Sequence, residues 1–217
     1  MGIQQLYRIQ IFYLFLFLFI FSSSVLAAET PPPNLRKKII QTKSPYYGFQ
    51  VGYVQNQNAT TLTSSSSVSM TGTSSVIEGF YNYPLLQNYE VSGRFGYNPF
   101  TATGISANPA LCANGSCTVN VSYLNTDILL KYATNFDPVN LWVGVGVGIL
   151  YPIKKESNLI DSADLSLTQR ISVAFGIAYA VGSNYIIPVE LSYCPFSSNV
   201  LIQMTQINLK IGFGLRL

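Results

Sequence analysis

Histidine is absent from this chain, and charge of either sign is scarce. Only 10% of its 217 residues are Asp, Glu, Lys or Arg, against about 25% in typical soluble domains. Without histidine, general-base and nucleophilic chemistry that relies on imidazole is excluded. Neither a phosphate-cradling glycine loop nor metal-ligand spacing is present, so no cofactor and no metal are expected. Twelve basic residues stand against nine acidic ones, leaving no basic stripe of the kind that binds nucleic acid. So little charge would leave a soluble monomer hard to disperse. Long apolar runs are also missing beyond the amino terminus. Every later apolar stretch is broken within about 10 residues by Gly, Pro, Asn or charge, whereas a spanning helix needs roughly 20. The sequence therefore points to a membrane protein without membrane helices, or to fibrous material.

What is present begins with export. "MGIQQLYRIQIFYLFLFLFIFSSSVLAAET" carries Arg8, an apolar core from Ile11 to Phe21 and a small-residue site after Ala27. This pattern reads as a secretory signal peptide over residues 1–27. Its removal takes Arg8 away and lowers the formal charge from +3 to +2. Residues 28–45, with four prolines and the basic cluster Arg36-Lys37-Lys38, read as an extended periplasmic lead-in. Residues 46–217 form the remaining domain.

From Tyr46 onward the hydrophobic period is two. Eight strands can be traced, among them "LWVGVGVGILY", "RISVAFGIAYAV" and the closing "QINLKIGFGLRL". In the last of these Ile207, Leu209, Ile211, Phe213, Leu215 and Leu217 alternate with Gln206, Asn208, Lys210, Gly212, Gly214 and Arg216. Short connections ("PLLQN", "ATNFDPVN", "GSN") alternate with longer segments at 56–75, 98–120, 152–168 and 194–201. All short ones then fall at one end and all long ones at the other, the plan of an outer-membrane barrel. The expected fold is all-β: an eight-stranded antiparallel up-and-down transmembrane β-barrel, with its long loops extracellular and its N-terminus periplasmic.

The faces assigned from apolar residues alone leave every strand charge on the opposite side. Glu78, Glu90, Arg94, Asp127, Lys131, Arg170, Glu190, Lys210 and Arg216 are therefore expected inside the barrel as a lumen charge network. A lipid-facing charge at mid-depth costs roughly 2–4 kcal/mol, which accounts for their exclusion from the apolar side. Pairing Glu90 with Lys131 sets a register that also places Arg94 opposite Asp127, Tyr89 opposite Tyr132 and Val91 opposite Leu130, with ion pairs across the strands. Tyrosines gather toward strand ends, as in two interfacial girdles.

Of three cysteines, Cys112 and Cys117 flank "ANGS", and an oxidising compartment favours a disulfide that pins this loop tip. Cys194 is left over as a free thiol or a competing partner. The Ser/Thr/Asn/Gly-rich long segments read as soluble surface or as a contact surface for other cells.

On these features (the signal peptide, "WVGVGVGILY", "YLNTDILLKY" and the closing strand) residues 46–217 resemble the small eight-stranded outer-membrane barrels of Gram-negative bacteria, of the OmpX, OmpW and opacity-protein type. The resemblance implies a terminal signal read by the barrel-assembly machinery, matched here by Lys210, Gly212, Leu215 and Leu217. Leucines stand where such signals usually carry aromatics. It also implies outer-membrane lipid as surroundings, periplasmic chaperones during biogenesis, and a host or other cell-surface ligand met through the loops. Such barrels serve as adhesins, serum-resistance factors, small pores and, in a few cases, enzymes. A structural or surface-interacting barrel with a plugged, salt-bridged lumen and no catalysis is the leading expectation. A narrow pore for water or small solutes is the alternative, and a soluble secreted ligand-binding barrel comes third.

Overall fold

The computed structural model describes residues 44–63, 66–106, 112, 115–162, 164–199 and 202–217. The signal peptide and the lead-in up to residue 43 lie outside these residues. Eight strands follow in order: β1 (Tyr46–Thr63), β2 (Ser66–Leu86), β3 (Tyr89–Ile105), β4 (Ser116–Phe136), β5 (Val139–Ser157), β6 (Thr168–Val181), β7 (Tyr185–Asn199) and β8 (Ile202–Arg216). Each pairs antiparallel with its neighbours, and β1 pairs with β8 to close the ring. The closing stretch is paired along its length, from Gln206 opposite Asn56 to Arg216 opposite Tyr46. Leu217 adds a backbone N–H donated to the Pro45 carbonyl at 2.9 Å.

Strict alternation selects this fold because a period of two puts one set of side chains on each face of a strand. Around the middle of the barrel the outward set is apolar: Phe49, Val51, Ile77, Phe95, Ile128, Val147, Phe175 and Ile211 are all exposed. Outward tyrosines bracket this belt. Tyr47, Tyr83, Tyr179 and Tyr185 lie at the short-turn end, and Tyr53, Tyr97, Tyr151 and Tyr193 lie further along the sheet toward the long connections.

Three segments read as long loops are largely strand. Strands of 14 to 21 residues exceed the roughly 9–11 that cross a bilayer. The segment 56–75 is the far part of the β1–β2 hairpin, paired from Asn56↔Gly72 to Thr60↔Val68. Strand β3 runs to Ile105, and β7 and β8 extend to Asn199 and from Ile202. The 152–168 connection keeps a true loop only after Ser157. Threonine suits a pleated surface, so a Ser/Thr-rich composition mimics a loop while the backbone continues its ladder.

Candidate functional site: the barrel interior

The inward side chains form two chemically distinct halves. At the short-turn half, four carboxylates (Glu78, Glu90, Asp127, Glu190) and four cations (Arg94, Lys131, Arg170, Lys210) are buried. Glu78 on β2 is a hub. It accepts from Lys210 Nζ on β8 at 2.5 Å, from Asn125 Nδ2 on β4 at 3.3 Å, and from Gln50 Nε2 on β1. Arg94 on β3 grips Glu190 on β7 with both terminal nitrogens, at 2.6 and 2.5 Å. Each base of this quartet also faces the other acid: Arg94 lies 3.9 Å from Glu78, and Lys210 lies 3.4 Å from Glu190. Arg170 on β6 donates to Asp127 on β4 through Nε at 2.8 Å and also through Nη2. Lys131 donates to Asn82 Oδ1 at 2.7 Å and sits 4.2 Å from the centre of the Trp142 ring, a cation–π contact.

The β3–β4 register has Glu90 opposite Lys131, Arg94 opposite Asp127, Tyr89 opposite Tyr132 and Val91 opposite Leu130. The Arg94–Asp127 ion pair expected from that register is nevertheless replaced. Arg94 reaches β7, and Asp127 is held by Arg170. Closure is the reason: inward side chains of a narrow ring converge on its axis, so a long guanidinium meets strands across the interior. Arg216 departs further. It is exposed at the rim where β8 ends, with its guanidinium 3.4 Å from the Ser183 carbonyl in the β6–β7 turn, and it takes no part in the buried cluster.

Inward glycines make room for these arms. A Cβ on Gly148 would fall on the Asp127 carboxylate, and one on Gly176 would lie 2.5 Å from the Trp142 ring. Small residues of one strand thus seat the long side chains of the next.

Above the charges lies a layer of amides. Asn98 and Gln206 exchange hydrogen bonds at 3.0 and 3.1 Å, and Gln206 also donates to Asn56 at 3.1 Å. Beyond it the interior turns apolar, a layer that the expected lumen charge network does not include. Phe100 and Tyr123 both pack edge-on against Phe196, at centroid separations of 5.8 and 6.2 Å. Val68, Met70, Val121, Leu150 and Met204 join them. Ile160 and Leu165, from the connection between β5 and β6, complete the cluster. A disulfide joins Cys112 to Cys117, and both cysteines are buried in the same cluster. The bond therefore belongs to a core and not to a solvated loop tip. Cys194 is a buried free thiol that receives Asn208 Nδ2 at 3.4 Å.

The apolar far interior was missed at the level of sequence, although a signal existed. Inside Ser/Thr-rich segments the pairs Val68/Met70, Phe100/Ala102, Val119/Val121 and Ile202/Met204 keep the parity of the inward face. On the outside of this half, exposed Lys154 bonds Glu156 at 2.9 Å. That hydrogen bond, with the charge attraction, raises the lysine pKa and lowers that of the glutamate. Of the residues matched to an assembly signal, Lys210 points inward and Leu215 pairs with Tyr47 and Tyr185, Gly212 pairs with Gln50, and Leu217 ends the chain.

A closed antiparallel ring of eight strands, belted with apolar side chains and charged within, is a transmembrane β-barrel. No family model and no curated protein sequence matches the chain. Solved structures do: the outer-membrane protein OprG from Pseudomonas aeruginosa superposes with a TM-score of 0.56 at 11% identity, covering 81% of this chain and 97% of that one. The outer-membrane protein AlkL, determined by solid-state NMR in lipid bilayers, gives a TM-score of 0.53 at 16% identity, covering 81% and 92%. At these identities the likeness is one of fold.

Proposed function

We propose that this protein is a non-conducting, non-catalytic outer-membrane barrel that serves a structural or surface-interacting role, exported by a signal peptide over residues 1–27. The lead-in 28–45 is periplasmic, the short turns face the periplasm, and the long strand ends project outward, as in other barrels with this asymmetry. One observation carries the plugged lumen: eight buried charges, matched four to four, lie under an apolar cluster that includes Phe100, Tyr123 and Phe196. Ions crossing such an interior would have to break buried pairs and then enter a hydrocarbon-like layer, each step costing several kcal/mol. In this reading the terminal strand, with Lys210, Gly212, Leu215 and Leu217, is handed by periplasmic chaperones to the assembly machinery, and outer-membrane lipid surrounds the belt.

Planar-bilayer recording tests the plug. Purified protein should insert without steady unitary currents, and such currents would replace this reading with the narrow pore. Orientation is tested on a Cys194→Ser background. Gln203→Cys should react with a membrane-impermeant maleimide added to intact cells, and Ser183→Cys should react only after lysis. The reverse pattern overturns the orientation.

A further inference from the structure

The outside of the far half carries an uncharged hydrogen-bonding row. Thr205 on β8 lies opposite Gln57 on β1, Gln57 opposite Thr71 on β2, Thr71 opposite Thr103 on β3, and Thr103 opposite Thr118 on β4. All five are at least partly exposed. Among the described residues none of their side chains makes a hydrogen bond. Neighbouring strands lie about 4.8 Å apart, so the row presents hydroxyls and an amide at near-regular spacing across five strands. Charge is confined elsewhere. In the described far half it occurs only at Lys154, Lys155 and Glu156 on β5 and at Asp161 and Asp164 just beyond it.

This row is continuous with the lipid-facing belt. On β1 the outward series runs Val51, Tyr53, Gln55, Gln57, so the row begins four residues above the lipid-facing belt's tyrosine Tyr53. At about 3.4 Å per residue and a tilt near 40°, the stretch from Tyr53 to Thr60 rises roughly 18 Å. A phospholipid headgroup layer is only about 5–7 Å thick on each side. A phospholipid therefore leaves most of this polar wall uncovered, whereas a lipid bearing several sugars reaches along it. Sugar hydroxyls are neutral donors and acceptors, matching a wall of threonine and glutamine without charge.

We propose that the row Thr205–Gln57–Thr71–Thr103–Thr118 is a docking surface for the sugar headgroup of an outer-leaflet glycolipid. The proposal deepens the surface-interacting role above and rests on the far end facing outward. Maleimide labelling tests that orientation in cells, whereas the vesicle measurements below do not depend on it.

The full mature chain is refolded into phosphatidylcholine vesicles alone, with lipopolysaccharide bearing a complete sugar core, or with lipid A lacking those sugars. Its unfolding midpoint is read from heat-modifiable gel migration. Sugar-bearing lipid should raise the midpoint by about 5 °C, and lipid A should not. The triple variant Gln57→Ala, Thr71→Ala, Thr103→Ala should lose the rise while keeping its midpoint in phosphatidylcholine. Thr71→Ser with Thr103→Ser should retain the rise. An equal rise with lipid A overturns the proposal, as does an equal rise with free core oligosaccharide, which would indicate a soluble glycan. The single change Thr71→Ala at the centre of the row gives a second reading if the triple variant does not fold. An undiminished rise in either variant also overturns the proposal.

Discussion

The two halves of the barrel obey opposite rules on one continuous backbone. Near the short turns, apolar residues such as Val147 and Phe175 face outward and charges such as Glu78 and Arg94 face inward. Further along the same strands, Thr71 and Gln57 face outward while Met70, Phe100 and Val121 face inward. On β2, β3 and β4 the parity of the inward face is unchanged between the halves; the surroundings differ. Where lipid is the solvent, polar groups are driven inside. Where water is the solvent, apolar groups are. Strand length past the roughly 9–11 residues of a bilayer crossing thus decides which half a residue belongs to.

Charge placed in the wrong half gives the largest break in this contrast. Val121→Asp puts an unpaired carboxylate among Phe100, Tyr123 and Phe196, destabilising by well over about 5 kcal/mol. No heat-modifiable folded species should survive refolding. Removing charge from the half that needs it comes next. Glu78→Ala strips Lys210 of its closest partner and should cost about 3–5 kcal/mol in urea titrations of vesicle-inserted protein. An outward arginine then reports the solvent directly. Val147→Arg should cost about 2–4 kcal/mol, whereas Thr71→Arg should stay within about 0.5 kcal/mol. Equal costs at the two sites would erase the distinction between the halves. The smallest effect sharpens the charged half: a double-mutant cycle on Arg94 and Glu190 should give a coupling of about 1–3 kcal/mol, clearly larger than that for Arg94 and Asp127.

Much of this was legible in the sequence, and the gaps have physical causes. Period-two alternation from Tyr46 to Leu217 gives the ring, and the β3–β4 register follows from which charges and tyrosines can sit opposite one another. Ion partners are not readable in that way, since Arg94 finds Glu190 only after β7 has come round to face β3. The far interior was hidden because Ser and Thr dominate the same segments, drawing attention from Val68, Met70 and Met204, whose parity marks them as core. Arg216 shares the inward parity of Lys210, yet the strand ends there, so its long arm bends over the rim to Ser183.

The three strongest cross-interior contacts are nested. Glu78–Lys210 encloses Arg94–Glu190, which encloses Asp127–Arg170, with β5 at the centre of the nest. The outermost link joins β2 to β8, so it forms only once β8 has joined the ring. A sheet of seven strands leaves Glu78 without the Lys210 ammonium and β1 without its second partner, so the charge network stays incomplete. The buried charges thereby tie the pairing of β2 through β7 to the arrival of β8, and the order of the pairs favours the closed ring over every unclosed sheet.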